Sequence, residues 1–343
     1  MNSADNKADI GFIRAMPKIE LHVHLEGAVQ PGVLLKLAEK NNIPLPCSNI
    51  DDLKKWYTFE DFGKFLEVYF KICQCIKSAD DIEYILREFL KGQKEQNIIY
   101  SEITYTAYAH YLQHSIKIED QIAALNRAKE WGISELGVDC NFILDIPRDR
   151  SPEEGLHTAE WVCKYSDRSV IALGLGGDER NYPPSRHAVS FAGVRDENIA
   201  AIPHAGETLG PESVWEALEI CSPRRIGHGV RAIEDEKLVE YLAENEIAIE
   251  VCPSSNICLK VYKTMREHPL PLLAEKGVKV TINSDDPAIF GVSLTEEFAR
   301  IKEAFGFSGN DIRGFLLNAA EAAIVSEEKR KFLSGTINSY FQC

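Results

Sequence analysis

Four short segments carry the side chains best suited to hold a metal ion and move protons. They are His22-Val23-His24, His204-Ala205-Gly206-Glu207, Gly227-His228-Gly229 and Ser284-Asp285-Asp286-Pro287. Residues two apart in a strand share a face, so an extended His22-Val23-His24 aims both imidazoles the same way. Each segment alone has an ordinary explanation: a hydrogen-bonded core histidine, a glycine turn, an Asp cap before proline. Together, in chain order, they offer neutral imidazoles and a carboxylate. That donor set suits a catalytic Zn²⁺ with one position left for water. His22, His24, His204 and Asp285 are the expected ligands. A second metal would need a bridging group such as a carboxylated lysine on a middle strand, and residues 169–175 contain no lysine. One Zn²⁺ per chain is therefore expected, making water a nucleophile at neutral pH. Glu207 lies three residues past His204, free to reach substrate; a carboxylic acid there can protonate a ring nitrogen and later a leaving amine. The ordinary alternative is a surface carboxylate in a loop. His228 fits two roles, orienting the attacking water or acting as a fifth ligand.

Such residues need strand ends to hold them. Short β-branched runs separated by helical stretches occur at 19–24, 98–104, 138–146, 169–175, 199–203, 225–227, 247–251 and 278–283. Most are apolar without alternation, as expected of strands covered on both faces. Helices are expected between the later ones, at 211–220, 234–244 and 295–305, the first with Pro211 in its opening turn. Eight strands alternating with helices predict a (β/α)8 TIM barrel, whose active site forms at the C-terminal strand ends. A doubly wound open sheet is the rival. Residues 28–97 are more than one crossover helix requires, so a helical insertion follows the first strand. Within it Phe62, Phe65, Leu66, Tyr69, Phe70 and Cys73 fall on one helical face, either as a core stripe or as a lid over the barrel mouth. No repeat or linker divides residues 1–343, so one domain is expected, with 1–10 a disordered tail.

The chain has 343 residues, 38 Lys+Arg, 53 Asp+Glu and a net charge of −15. That balance argues against nucleic acid and anionic membrane surfaces, which need Lys and Arg, and disfavours a phosphorylated substrate. No apolar run of about 18 residues suggests a membrane span, and the polar first nine residues lack a signal-peptide core. The nine scattered cysteines suit reduced thiols and a cytoplasmic setting. No protein partner is indicated. The absence of a PCxxC pair excludes the cytidine-deaminase route to deamination. The stretch Gly174-Leu-Gly-Gly-Asp-Glu179 lacks the third glycine of a dinucleotide fingerprint and reads as a turn or as backbone open to a substrate ring. His110 and His114 read as solvated loop residues, His157, His187 and His268 as histidines without function, and Trp215 as a packing residue.

Taken together, the segment 16–27 (Met-Pro-Lys-Ile-Glu-Leu-His-Val-His-Leu-Glu-Gly), Gly174–Glu179, His204–Glu207, Arg225–Gly229, Cys252-Pro-Ser-Ser255 and Ser284–Pro287 resemble the adenosine deaminase family over nearly the whole chain. The resemblance implies a zinc-dependent barrel enzyme that replaces a purine 6-amino group by oxygen. It implies zinc on His22, His24, His204 and Asp285, Glu207 as proton shuttle at N1, and His228 orienting the attacking hydroxide. Asp286 would meet N7, and the Gly177 backbone N3. The expected substrate is a purine nucleoside of the adenosine or 2′-deoxyadenosine type. One departure bears on it: adenosine-specific members have Asp, contacting the ribose 5′-hydroxyl, where this chain has Glu26. Adenine-specific members carry Glu there but favour Gly-Leu-Asp-Ser-Ser-Glu and an Asp before the sixth-strand histidine, which this chain lacks. The glycine-rich loop and Gly-Pro-Glu-Ser-Val-Trp215 are also similar to aminodeoxyfutalosine deaminases. Free adenine and aminodeoxyfutalosine are therefore the alternatives. Outside the family, another zinc hydrolase and a non-catalytic nucleoside-binding protein are weaker readings.

Overall fold

Eight parallel strands alternate with helices and pair in sequence order. The computed structural model describes residues 10–58 and 62–342; most of the tail expected at 1–10 lies outside them. The strands are β1 (Lys18–His24), β2 (Ile98–Tyr105), β3 (Asp139–Pro147), β4 (Val170–Gly176), β5 (Ala200–Ala205), β6 (Arg225–His228), β7 (Ala248–Val251) and β8 (Val280–Ile282). All eight expected strands are present, within a few residues of their expected bounds. The barrel closes between β8 and β1 by unusual means. The Asn283 side-chain oxygen accepts from the Leu21 and His22 amides at 2.8 and 3.1 Å, and Val23 bridges Asp285. His24 N donates to Asp285 O, and Asp285 N to His22 O. Closure thus ties the first two expected ligands to the fourth. The rival open sheet is excluded.

Strands buried on both faces pack outward on helices and inward on one another. Two large apolar clusters lie between strands and helices, one reaching from the C-terminal parts of β1 and β2 to β4 and one joining β5–β8 to the N-terminal parts of β1 and β2. Inside the barrel Ile143, Ala172 and Ile202 form a small apolar layer beside Ile324. Two residues further along β3, on the same inward face, stands Asp145.

Four helices occupy the segment between β1 and β2: α1 (Pro31–Asn41), α2 (Ile50–Tyr57), α3 (Phe62–Cys75) and α4 (Ala79–Glu95). Asn49 and Ser78 cap α2 and α4 by accepting from the Asp52 and Asp81 amides. A further helix, α5 (Ala107–His114), follows β2 directly. The helix Pro211–Cys221 begins with Pro in its first turn, as expected. Among the described residues no helix is long and apolar enough to cross a membrane.

Candidate active site

The C-terminal strand ends deliver their polar residues to one place. Nε2 of His24 lies 3.2 Å from Nε2 of His204, and Asp285 Oδ1 lies 3.4 Å from Nε2 of both His22 and His24. Four ligands about 2.0–2.1 Å from a tetrahedral centre sit about 3.3–3.4 Å from one another, and these three spacings are close to that length; His22, His204, His228 and Asp285 gather their ligand atoms within 4.8 Å of one another, as do His24, Asp285 and Asp286. His22 Nε2 has no hydrogen-bond partner despite full burial. Burial holds the His24 and His204 imidazoles below the ordinary histidine range, leaving neutral lone pairs. His22 differs: burial works to lower it, but the facing Asp285 and Glu250 outweigh that and hold it at about 10. This is a position that demands positive charge, and a cation at Nε2 answers it. The residues present therefore fit a metal ion.

His228 thus stands within the ligand cluster itself, as the fifth-ligand alternative expected. Its Nε2 is 3.9 Å from both Glu207 Oε1 and Asp285 Oδ2. Burial lowers its imidazole to about 4. Glu207 behaves oppositely: burial raises its carboxyl to about 8, with the Asp285 and Glu179 charges pushing the same way. At neutral pH it keeps its proton and is a donor. Asp285 and Asp286 diverge likewise. Burial would raise both, but the histidines facing Asp285 hold it ionised, whereas the Asp285 charge keeps Asp286 protonated.

Backbone and glycines make room for this. His228 and Asp285 both adopt left-handed conformations, φ 61° and 63°, at a cost of about 1–2 kcal/mol for a side-chain-bearing residue. A Cβ on Gly27 would lie 1.7 Å from Asp286 Oδ1, and one on Gly227 would lie 2.8 Å from the His22 ring. Glycine at those points lets the carboxylate and the imidazole occupy the space.

These groups open onto a cavity of about 550 Å³, lined among others by His24, His204, Glu207, His228, Asp285, Asp286 and Gly177. One wall comes from the expected stripe on α3: Phe65, Leu66, Tyr69, Phe70 and Cys73 line the cavity, with Phe65 stacked on Phe290 at 5.6 Å, and the Phe62 side chain lies outside the described residues. Glu26 is not among the lining residues. It is fully buried behind the wall, where its Oε1 accepts from His110 Nε2 at 2.8 Å and from the Thr106 amide at 3.2 Å. Through Oε1 it joins β1 to α5, while its Oε2 is buried without a partner. His110, read as solvated, is completely buried against Tyr105; no spacing in the sequence revealed its partner 84 residues away.

Several residues that matter here had no motif to announce them. Glu250 Oε2 accepts from His22 Nδ1 at 2.8 Å, which fixes the tautomer and turns the Nε2 lone pair toward the ligand cluster. Arg225 holds Glu250 and Glu102 at 2.5 Å each, and Glu102 also accepts from the Ile324 amide and Tyr100. Glu179, noticed only as breaking a glycine pattern, accepts from the Gly206, Thr208 and Leu209 amides at 2.6–2.9 Å and from Ser213. It thereby clamps the loop that carries Glu207. Asp145 lines the cavity with Oδ1 unpartnered.

Known proteins are similar to this chain over nearly its whole length. The adenosine deaminase family profile matches residues 17–340. The chain is 36% identical over 313 residues to an adenine deaminase of Bordetella parapertussis, covering 91% of this chain and 98% of that protein. An adenine deaminase of Pseudomonas savastanoi pv. phaseolicola is 37% identical over 314 residues, 92% and 98% of the two chains. The crystal structure of adenine deaminase from Arthrobacter aurescens superposes with a TM-score of 0.91 at 27% identity, over 96% of this chain and all of that one. With the family profile and these relatives each spanning nine-tenths or more of its length, the chain belongs to the adenosine deaminase family.

Proposed function

We propose that this chain is a metal-dependent adenine deaminase that hydrolyses free adenine to hypoxanthine and ammonia. The observation that carries it is the pairing, in one cavity, of a buried protonated Glu207 with the His22, His24, His204 and Asp285 cluster. The full-length relatives named adenine deaminase support the free base over the nucleoside expected from sequence.

His22, His24, His204 and Asp285 would hold one Zn²⁺, which when bound supplies Lewis-acid activation of water at neutral pH. The chain's own residues do the rest. Glu207 donates its proton to ring N1, which draws electrons from C6 and opens it to attack. Neutral His228, beside both Glu207 and Asp285, accepts a hydrogen bond from the attacking water and takes up its proton. Protonated Asp286 donates to N7, and the Gly177 backbone faces N3. Glu207, ionised after its first transfer, takes the proton of the hydroxyl added at C6 and delivers it to the departing amino group as the C6–N bond breaks and the 6-oxo group forms, and His228 then returns the water's proton to Glu207. The α3 face closes the cavity from solvent as part of a helical insertion in a single domain.

The test is product analysis with the zinc-loaded protein. Adenine should yield equimolar hypoxanthine and ammonia, with kcat/KM at least about 10²-fold above that for adenosine. A chelator should abolish turnover, and metal analysis should find one zinc per chain. A preference for adenosine would sink the substrate assignment, and full activity after complete metal removal would sink the metal.

A further inference from the structure

Asp145 is buried (4% exposed), lines the cavity and leaves Oδ1 without a partner. An unanswered carboxylate oxygen at such burial is costly unless a ligand donates to it. Its place is set by β3, where Asp145 follows Ile143 on the inward face. A Cβ on Gly176 would meet Asp145 Oδ2 at 3.1 Å and the His204 ring at 3.8 Å. The carboxylate and the His204 ring therefore flank the same backbone point, directly before Gly177. Asp145 thus borders the cavity beside Gly176 and Gly177.

That location selects one edge of the purine. With N1 at Glu207 and N7 at Asp286, the edge left for Gly177 and its neighbour is N3–N9. A free 6-aminopurine carries an N–H on that edge; a nucleoside carries carbon at N9. We infer that Asp145 is a specificity-determining residue whose carboxylate accepts the N9–H of an N9-unsubstituted 6-aminopurine. This rests on the adenine-deaminase reading and explains how the chain separates base from nucleoside. A buried group built to bond a substrate N–H rejects analogues lacking it, because it is then left unpaired.

The probes are adenine, 9-methyladenine, which differs only by a methyl replacing the N9 hydrogen, and adenosine. They are compared on zinc-loaded wild type, D145N and D145A by kcat/KM and by calorimetric affinity. Wild type should favour adenine over 9-methyladenine by about 10²-fold or more in kcat/KM and by at least tenfold in binding. The ratio should shrink in D145N, whose amide oxygen still accepts, and fall to within about threefold in D145A, through loss on adenine alone. D145N, nearly isosteric, keeps the test open should D145A not fold. An unchanged ratio in both variants overturns the inference. So does a loss confined to adenosine, which would assign Asp145 to a sugar hydroxyl. The affinity arm separates the two readings. A chain that deaminates none of the three yet binds adenine preferentially through Asp145 loses the proposed reaction and keeps this inference. A chain that deaminates adenine with no Asp145-dependent preference does the reverse.

Discussion

Two clusters of buried charge share the barrel interior. Beneath, Arg225 joins Glu102 and Glu250, Glu20 accepts from Gln93 and from Ser284, and every side-chain polar atom of these groups is partnered. Above, at the strand ends, His22 Nε2, His204 Nδ1, His228 Nδ1, Asp145 Oδ1 and Asp286 Oδ1 have no partner. The lower cluster satisfies itself and holds shape. The upper one is left incomplete by the fold, and that incompleteness marks where a metal and a substrate belong. His22 spans both, with Nδ1 answered from below by Glu250 and Nε2 open above.

The largest effect should come from the upper cluster. Glu207→Gln keeps the shape of the protonated acid and removes the transferable proton, so kcat should drop by at least about 10²-fold. Zinc content should stay the same, and the melting temperature within a few degrees, because no fold-supporting bond depends on that proton. A kcat within threefold of wild type would remove Glu207 from the chemistry. A large fall in melting temperature would break the contrast between the two clusters.

The contrast also sorts what sequence could reveal. The strands were legible because doubly buried strands read as short apolar runs, and their C-terminal ends because His and Asp stand out beside glycine. Glu250 and Arg225 were not, since one charge inside an apolar strand has no periodicity. Their partners lie far off in the chain, Glu102 being 123 residues from Arg225. Asp145 and His110 were hidden for the same reason, His110 being 84 residues from Glu26, whose Oε1 it meets. The α3 stripe was legible as a face, but not as the face of a cavity: period 3.6 looks the same either way.

A smaller effect tests the link between the clusters. Glu250→Gln weakens the acceptor that orients His22 and leaves Arg225 with Glu102 alone. The zinc dissociation constant, measured by chelator competition, should rise about 10- to 100-fold. Deamination should recover substantially at saturating metal, as expected of a positioning residue. Unchanged zinc affinity would confine Glu250 to the lower cluster.

The smallest effect at neutral pH concerns a histidine that matches His228 in burial and not in surroundings. Burial alone lowers His268 to about 3. Its Nε2 donates to Asn256 Oδ1 at 3.0 Å and its Nδ1 accepts from the Leu270 amide at 3.1 Å, so its neutral form is fully answered. His228 is lowered to about 4, with Nδ1 open. Unfolded His268 titrates near 6.5, so between about pH 6.5 and 3 the unfolded chain binds the extra proton. Stability is therefore lost as pH falls through that window and regained as it rises. At one pKa unit per 1.36 kcal/mol, the loss from this residue between pH 7.5 and 4.5 is about 2–3 kcal/mol. His268→Gln can donate to Asn256 and accept from Leu270 but takes up no proton. Denaturant unfolding at the two pH values should show wild type losing about that much more than the variant. Equal losses would mean that His268 is protonated as readily folded as unfolded, and its bonds to Asn256 and Leu270 would no longer distinguish a self-satisfied histidine from one waiting for a ligand.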